Sequence, residues 1–334
     1  MAAQLEPKVI AWRRDFHQYP ELSNREFKTA DKVAAHLRAL GMEVRTGIAK
    51  TGVVGILKGG RPGPVIGLRA DMDALPVTER NDLPFKSLAK GPYNGAEVGV
   101  MHACGHDAHV AILMGVAEVL STMQAQLAGT VVFVFQPAEE GPPGDEEGGA
   151  PLMIKEGLLT DTKMEVMFGL HINSQTEVGK IESGVRANII PETAEMVGTI
   201  RTLDTAMQRQ IDQKVVRTAQ KIAERAGATA DVRIENKTPV TYNDPALTTW
   251  ALSSLREAAG TDNVIENKAR TGAEDFGFFA QKIPCFYFFL GGMPKGGDEK
   301  QAPGHHTPDF YIDESGMGLG VRAFCYLVLD YLGK

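Results

Sequence analysis

The stretch from Met101 to His109, with the sequence MHACGHDAH, holds the densest group of potential metal-binding side chains in the chain. Cys104 and His106 are separated by one glycine, so a loop can turn the thiolate and the imidazole toward one point. A thiolate and an imidazole together favour zinc or a neighbouring transition metal. Taken alone, the pair is better explained as a buried cysteine beside a capping histidine. The prediction of a metal site therefore depends on partners elsewhere in the chain.

Three further segments offer such partners on loops or directly after apolar runs: Glu139–Glu140, His171 and His305–His306. Adjacent carboxylates suit a division of roles, in which one binds metal and the other takes a proton from water. Each segment alone is also explained as a solvated turn, a hydrogen-bonded core histidine or a surface pair. A chance placement of all of them after strands is less plausible than a dinuclear metal site.

Residue periodicity and turn signals predict an alternation of helices and strands along the chain. Helices are predicted over residues 6–16, 24–40, 108–123, 152–156, 204–226, 244–260 and 316–332. Strands are predicted over residues 52–57, 64–68, 129–135, 165–171, 188–202, 230–235 and 283–290. This pattern predicts an α/β fold with a mixed, mostly parallel sheet flanked by helices. Sites in such sheets form at the carboxyl ends of strands, so the candidate loops should meet there.

The composition narrows the range of partners and compartments. The 35 basic and 42 acidic residues give a net charge of −7, which argues against nucleic acid or an anionic membrane as a partner. The sequence contains no apolar run near the roughly 18 residues of a membrane span, and no signal peptide is visible. The three cysteines are few and far apart, so we expect a reducing, cytoplasmic location rather than a disulfide framework.

A series of motifs, in order along the chain, resembles those of one group of dinuclear metallo-amidohydrolases: the aminoacylases, hippurate hydrolases and indole-acetyl-amino-acid hydrolases. The motifs are RRDFHQYPELS (13–23), RADMDALPVTE (69–79), MHACGHDAH (101–109), FQPAEEG (135–141), GLH (169–171), NIIPE (188–192), GTIRT (198–202), GAEDF (272–276) and HHTPDF (305–310). They span nearly the whole chain, and their order is highly specific. The resemblance implies a zinc-exopeptidase-like catalytic domain with an inserted α+β satellite domain.

The same resemblance implies roles for individual residues. Two divalent metal ions per subunit would be held by five ligands: Cys104, His106, Glu140, His171 and His306. Glu139 matches the general base, which activates a water that bridges the two metals. Four further residues are expected to orient ligands or bind substrate: Asp71, Asp73, Asn188 and His305. Asp71 occupies the position at which more distant relatives have a metal-binding histidine. In this group, the resemblance implies that Cys104 replaces that histidine as a ligand. The thiolate favours zinc, and the other ligands also tolerate manganese or cobalt.

The satellite domain is expected to be incomplete. In the family it is a β-α-β-β-α-β unit, of which only the second half, about residues 188–235, is recognisable in this sequence. The missing half carries, in relatives, the dimer contact and a glycine-glycine-histidine motif that reaches the neighbouring active site. We predict a catalytic domain over 1–183 and 239–334 and a satellite remnant over 184–238. Either the printed sequence omits a segment or the protein carries a real deletion.

The leading functional hypothesis is metal-dependent hydrolysis of the amide bond of N-acyl amino acids or similar small amides. One alternative is a dipeptidase or carboxypeptidase of the same group. Another is a metal-binding protein with impaired catalysis, because the satellite domain is incomplete. The expected partner is a small N-acyl amino acid or peptide-like molecule, and a homodimer is expected only if the satellite domain is complete.

Overall fold

The computed structural model describes residues 2–177, 200, 202, 204–225, 229–234, 238–266 and 272–333. Its helices are α1 (Ala2–Gln18), α2 (Phe27–Ala39), α3 (His106–Thr122), α4 (Gly149–Lys155), α5 (Leu158–Thr162), α6 (Thr205–Arg225), α7 (Pro245–Ala259), α8 (Gly277–Ala280) and α9 (Met317–Tyr331). Its strands are β1 (Glu43–Ile48), β2 (Gly52–Lys58), β3 (Arg61–Asp71), β4 (Lys90–Tyr93), β5 (Ala96–Gly99), β6 (Ala128–Gln136), β7 (Val166–Glu177) and β8 (Cys285–Met293).

The central sheet has six strands in the order β1-β2-β6-β3-β7-β8. Strands β6, β3, β7 and β8 are mutually parallel, whereas β2 runs antiparallel to both β6 and β1. The predicted mixed, mostly parallel sheet is therefore confirmed. Strands β4 and β5 form a separate antiparallel hairpin, which the sequence analysis did not predict.

Alternating side chains of each strand point to opposite faces of the sheet, and helices cover both faces. On β6, Val131, Phe133 and Phe135 pack into one apolar cluster, which also takes in α1, α2, α3, α7 and α9. Val132 and Val134 pack into the second cluster, with α4, α5 and α8. Burial on both faces explains why β6 reads as a nearly continuous apolar run.

The residues around the predicted satellite remnant depart from the predicted pattern. Helix α6 forms as expected, but residues 229–234, predicted as most of a strand, have no regular structure. The predicted strand 188–202 and Asn188 lie outside the described residues, so the domain division stays a prediction. Within the described part of the chain, no helix is long and apolar enough to cross a membrane.

Candidate metal centre and active site

The carboxyl ends of the parallel strands deliver the candidate residues to one edge of the sheet. Asp71 ends β3 and pairs in register with Gln136, which ends the neighbouring β6. His171 lies on β7, and His106 is the first residue of α3. The loop that carries Glu139 and its neighbour begins directly after β6. The sheet topology thus brings together segments that are distant in sequence.

Cys104 lies at the centre of the cluster. Its Sγ atom is 3.3 Å from His171 Nε2 and 3.3 Å from His306 Nε2. Glu140 Oε1 is 3.2 Å from His306 Nε2. Cys104 therefore belongs to two groups of potential ligands whose donor atoms lie within 4.8 Å of one another, one with His106 and His171 and one with Glu140 and His306.

His106 connects this cluster to the paired glutamates. Its Nε2 atom lies 3.8 Å from Glu139 Oε2 and 3.8 Å from Glu140 Oε1, and these three residues form a further group of potential ligands. The backbone N–H of Glu140 donates to Asp73 Oδ2 at 3.0 Å, which holds the loop against the segment that follows β3. Asp73 also accepts from the Ser23 hydroxyl at 2.7 Å.

Hydrogen bonds fix which ring nitrogen of His106 and of His171 is free to bind metal. His106 Nδ1 donates to the carbonyl oxygen of Asp73 at 2.9 Å, and His171 Nδ1 donates to the carbonyl oxygen of Ile172 at 2.6 Å. A carbonyl oxygen only accepts, so both Nδ1 atoms carry the proton. Both Nε2 lone pairs therefore face the cluster, as metal ligands require.

The contacts of His109 and Asp71 leave them few free donor atoms. The backbone N–H of Ile172 donates to His109 Nε2 at 2.8 Å, so His109 Nδ1 carries the proton that it donates to Asp71 Oδ1 at 2.6 Å. Asp71 Oδ2 accepts from Arg69 Nη1 at 2.5 Å. Both residues are buried and fully engaged, so this geometry favours a supporting role for Asp71.

The two adjacent loop histidines differ in orientation. The backbone N–H of Ser174 donates to His305 Nε2 at 3.3 Å, so the proton of His305 lies on Nδ1, 3.6 Å from Cys104 Sγ. Burial, and then the neighbouring His306, lower the pKa of His305 to about 3, which keeps it neutral. His306 instead turns its Nε2 atom toward the thiol and Glu140. The geometry therefore favours His306 over His305 as a ligand.

The unpartnered atoms and the electrostatic potential of the cluster both suit a bound cation. His106 Nε2 and Glu140 Oε1 are buried, and neither has a hydrogen-bond partner among the described residues. Such orphaned polar atoms are rare, and an ion that accepts both lone pairs accounts for them. Burial opposes the protonation of His106, but Asp71 and Asp73 outweigh it and raise its pKa to about 10. A metal ion that binds at Nε2 would displace the proton that this negative potential otherwise holds on the ring.

Glu139 lies at the edge of the cluster, next to further carboxylates. Its Oε1 atom accepts from the backbone N–H of Asp275 at 3.4 Å, and its side chain is 9% exposed. Burial, and then the neighbouring Glu274 and Glu140, raise the pKa of Glu139 well above that of an ordinary carboxyl group. A higher pKa makes the carboxylate a stronger base toward water.

Several residues that support the site were missed as functional candidates in the sequence analysis. They are Arg13, His17, Ser23, Glu26, Arg69, Gln136 and Asp275. Glu26 accepts from the backbone N–H of Ala138, which precedes Glu139 and has a positive φ of 51°. One sequence signal could have identified some of them: a charged residue within a strand or helix that is otherwise apolar, such as Arg69 in β3. Charged residues are almost never fully buried without a partner, so such a residue indicates a buried polar network.

The N-terminal motif supports α3 from behind. Arg13 Nε lies 2.7 Å from Asp107 Oδ2, and His17 Nδ1 lies 2.8 Å from the same oxygen. His17 Nε2 lies 3.2 Å from Glu79 Oε1. All four side chains are buried, so α1 is bound to the residue next to His106.

Comparison with known proteins agrees with this site. The model of peptidase family M20/M25/M40 matches residues 67–330, most of the chain. The chain belongs to this family. As an M20 enzyme, it is a metallohydrolase that acts on amide bonds, which confirms the reaction class predicted from the motifs.

Individual M20 relatives extend over nearly the whole chain. Thermostable carboxypeptidase 1 of Saccharolobus solfataricus is 34% identical, over 99% of this chain and 97% of its own. N-acetyl-L-cysteine deacetylase of Bacillus subtilis is 31% identical, over 94% of this chain and 85% of its own. The crystal structure of the Bacillus subtilis protein YXEP, described as a dinuclear metal binding peptidase, superimposes with a TM-score of 0.80 at 28% identity, covering 99% of both chains.

The alignment with the carboxypeptidase also shows that this M20 chain lacks internal positions that the relative has. The alignment runs over 402 positions, whereas this chain has 334 residues, so at least 68 positions lack a counterpart here. Because 99% of this chain and 97% of the relative are covered, these positions are internal. A β-α-β unit needs about 30 residues or more, so the gap is large enough for the satellite half that the sequence lacks.

Proposed function

We propose that this protein hydrolyses the amide bond of N-acyl amino acids, with two divalent metal ions bound at the cluster and Glu139 as the general base. One observation carries the proposal. Donor atoms from four distant segments converge, and the hydrogen bonds of His106 and His171 turn their free lone pairs to the same space. Burial of the unpartnered His106 Nε2 atom costs free energy, which a bound cation would offset.

The residues that would hold the metals are Cys104, His106, Glu140, His171 and His306. Bound divalent ions supply Lewis acidity, which polarises the amide carbonyl and makes water a stronger acid. We propose zinc as the metal, since one thiolate and three imidazoles outnumber the single carboxylate. Asp73 and Asp71 keep His106 and His109 in their present tautomers, and such outer partners raise ligand basicity.

Glu139 performs the proton transfers in this proposal. Its Oε2 atom faces His106 Nε2, so it lies beside the space enclosed by the ligands. From there the carboxylate takes a proton from the attacking water and then delivers it to the leaving amine, as general base and general acid in turn. The backbone N–H of Asp275 contacts the other oxygen and limits rotation of the carboxylate.

The substrate class follows from what the relatives share. A carboxypeptidase and an N-acetyl-L-cysteine deacetylase both cleave an amide bond to an amino acid. We therefore propose N-acyl amino acids as substrates, and peptides with a free carboxylate as the second candidate, which the similarity to the carboxypeptidase favours. A third candidate is a metal-binding protein with weak catalysis, which the 68 internal positions without a counterpart favour.

A substrate panel with metal analysis separates these candidates. The protein is freed of metal, reloaded with zinc, manganese or cobalt, and assayed with N-acetyl and N-benzoyl amino acids and with free dipeptides. Faster turnover of the acyl amino acids supports the proposal, and faster turnover of dipeptides supports the peptidase. Two bound metal ions per chain without hydrolysis of either set would support the catalytically weak protein and refute the proposal.

A further inference from the structure

Arg69 places a full positive charge inside the sheet. It lies on β3, and its side chain has no exposed surface. A buried charge is tolerated only when it is paired and hydrogen-bonded, and Arg69 meets that condition with every nitrogen of its guanidinium group. Nη1 donates to Asp71, and Nη2 donates to Glu274 at 3.1 Å and to Asp275 at 3.0 Å.

The third nitrogen of Arg69 closes a ring of hydrogen bonds. Nε donates to Gln136 Oε1 at 2.9 Å, and Gln136 Nε2 in turn donates to the two carboxylate oxygens of Asp275 at 2.8 and 2.9 Å. Arg69, Gln136 and Asp275 therefore fix one another. They come from β3, from the end of β6 and from the 272–276 loop, so the ring joins three segments at the site.

This ring leads directly to Glu139. Gln136 ends β6 three residues before Glu139, and the backbone N–H of Asp275 donates to Glu139 Oε1. We propose that Arg69 is a positioning residue for the hydrolysis, which sets the orientation of the Glu139 carboxylate through Gln136 and Asp275. The inference rests on the proposed role of Glu139 as the base, and it assigns a function to the buried arginine of the RADMDALPVTE motif.

The physical reason is the rigid shape of the guanidinium group. Its five N–H donors lie in one plane at fixed angles, so it can hold several acceptors in a defined geometry. A lysine keeps the charge but offers a single, freely rotating ammonium group. Because a misplacement of about 1 Å in a catalytic group can cost about 100-fold in rate, loss of the planar group should reduce kcat.

The test is a double-mutant cycle of Arg69→Lys with Glu139→Gln in the metal-loaded enzyme. We expect Arg69→Lys to lower kcat by roughly 10- to 100-fold, with KM and metal content unchanged. In the Glu139→Gln background the same substitution should have almost no further effect, because the group that Arg69 positions is already gone. If Arg69→Lys instead acts through a general loss of packing, its fold-reduction in kcat should multiply with that of Glu139→Gln.

Arg13→Lys is the matched control for this cycle. Arg13 is equally buried, with a 1% exposed side chain, and is held by Asp107 and Glu314 on the α1 side of the molecule. Its substitution also replaces a buried arginine, so it reports the general cost of that change. We expect its effect on kcat to multiply with that of Glu139→Gln.

Gln136→Met provides a second route if Arg69→Lys does not fold. It removes the amide that joins Arg69 to Asp275 without changing any charge, and it should show the same non-additivity with Glu139→Gln. Losses that multiply in both cycles, or no loss of kcat in Arg69→Lys, would overturn the inference. If Glu139→Gln alone retains full activity, the proposed function fails instead, so the two failures are distinguishable.

Discussion

At the scale of single residues, most of the proposed site residues were candidates from the sequence, whereas the contacts that distinguish their roles were not predicted. Cys104 and His106 were candidates because one glycine separates them, and His171 because it follows an apolar run. The resemblance to the family also implied His306 rather than His305 as a ligand, but the contact that separates the two, in which the backbone N–H of Ser174 on β7 reaches His305, could not be predicted. A contact between residues 131 positions apart leaves no local pattern in a sequence.

The two loop histidines give the first prediction. His306→Asn should weaken metal binding by more than about 100-fold, because it removes a direct ligand, whereas His305→Asn removes only an outer partner, whose loss typically costs about 10- to 100-fold. Metal affinity is measured for both variants by competition with a chelator. Equal losses in the two variants, or a larger loss in His305→Asn, would reverse the assignment.

At the scale of elements, the start of α3 determines how the thiol and the imidazole approach each other. Gly105 precedes α3 with a φ of +96°, a conformation that side chains with a Cβ atom rarely adopt. A Cβ atom added there would lie 2.5 Å from Ile172 Cγ2 of β7. The helix, the strand and both ligands therefore fit together only around a glycine.

Gly105→Ala tests this element directly. We expect a loss of about 1–3 kcal/mol in the free energy of unfolding from the left-handed backbone, with weaker metal binding because Cys104 and His106 must move apart. Chemical denaturation and metal competition measure the two effects. Gly95→Ala is the control, because Gly95 has a φ of +83° in the β4–β5 turn but open space around its Cα atom. Unchanged metal affinity in Gly105→Ala would contradict the account.

Strand prediction failed where stability depends on a neighbour or on weak patterning. Residues 230–235 were predicted as a strand, yet residues 229–234 have no regular structure, and strand propensity is only a weak guide outside a packed sheet. Conversely, β1 was missed since Glu43, Arg45 and Thr46 give it a polar surface, and only its register with β2 reveals it. The buried strands β3, β6, β7 and β8 were predicted because burial on both faces makes them apolar.

At the scale of the whole molecule, the described residues form a six-stranded sheet that carries the site, whereas the chain lacks internal positions that its carboxypeptidase relative has. The site residues of the described part all come from the sheet and its loops, and none comes from α6. Metal binding and the first proton transfer should therefore survive in this chain. Functions that relatives assign to the missing half, including dimerisation, stay predictions.

Metal removal is the prediction at this scale. The site gathers Asp71, Asp73, Glu139 and Glu140 around buried histidines, so a cation that binds only the folded state should stabilise it. One such site contributes about 2.7 kcal/mol when the free metal is 100-fold above its Kd. We expect a chelator to lower the Tm and added zinc to restore it, as followed by calorimetry. An unchanged Tm after complete metal removal would contradict a metal centre in the folded core.

The central claim is that Glu139 is the general base of a metal-dependent amidohydrolase. Its most direct test compares wild-type protein with Glu139→Gln, measuring bound metal and the rate of N-acyl amino acid hydrolysis on the same samples. The account predicts equal metal content and a loss of more than about 100-fold in kcat, the lower range for removal of a general base. Near-normal turnover by Glu139→Gln with its metals in place would contradict it.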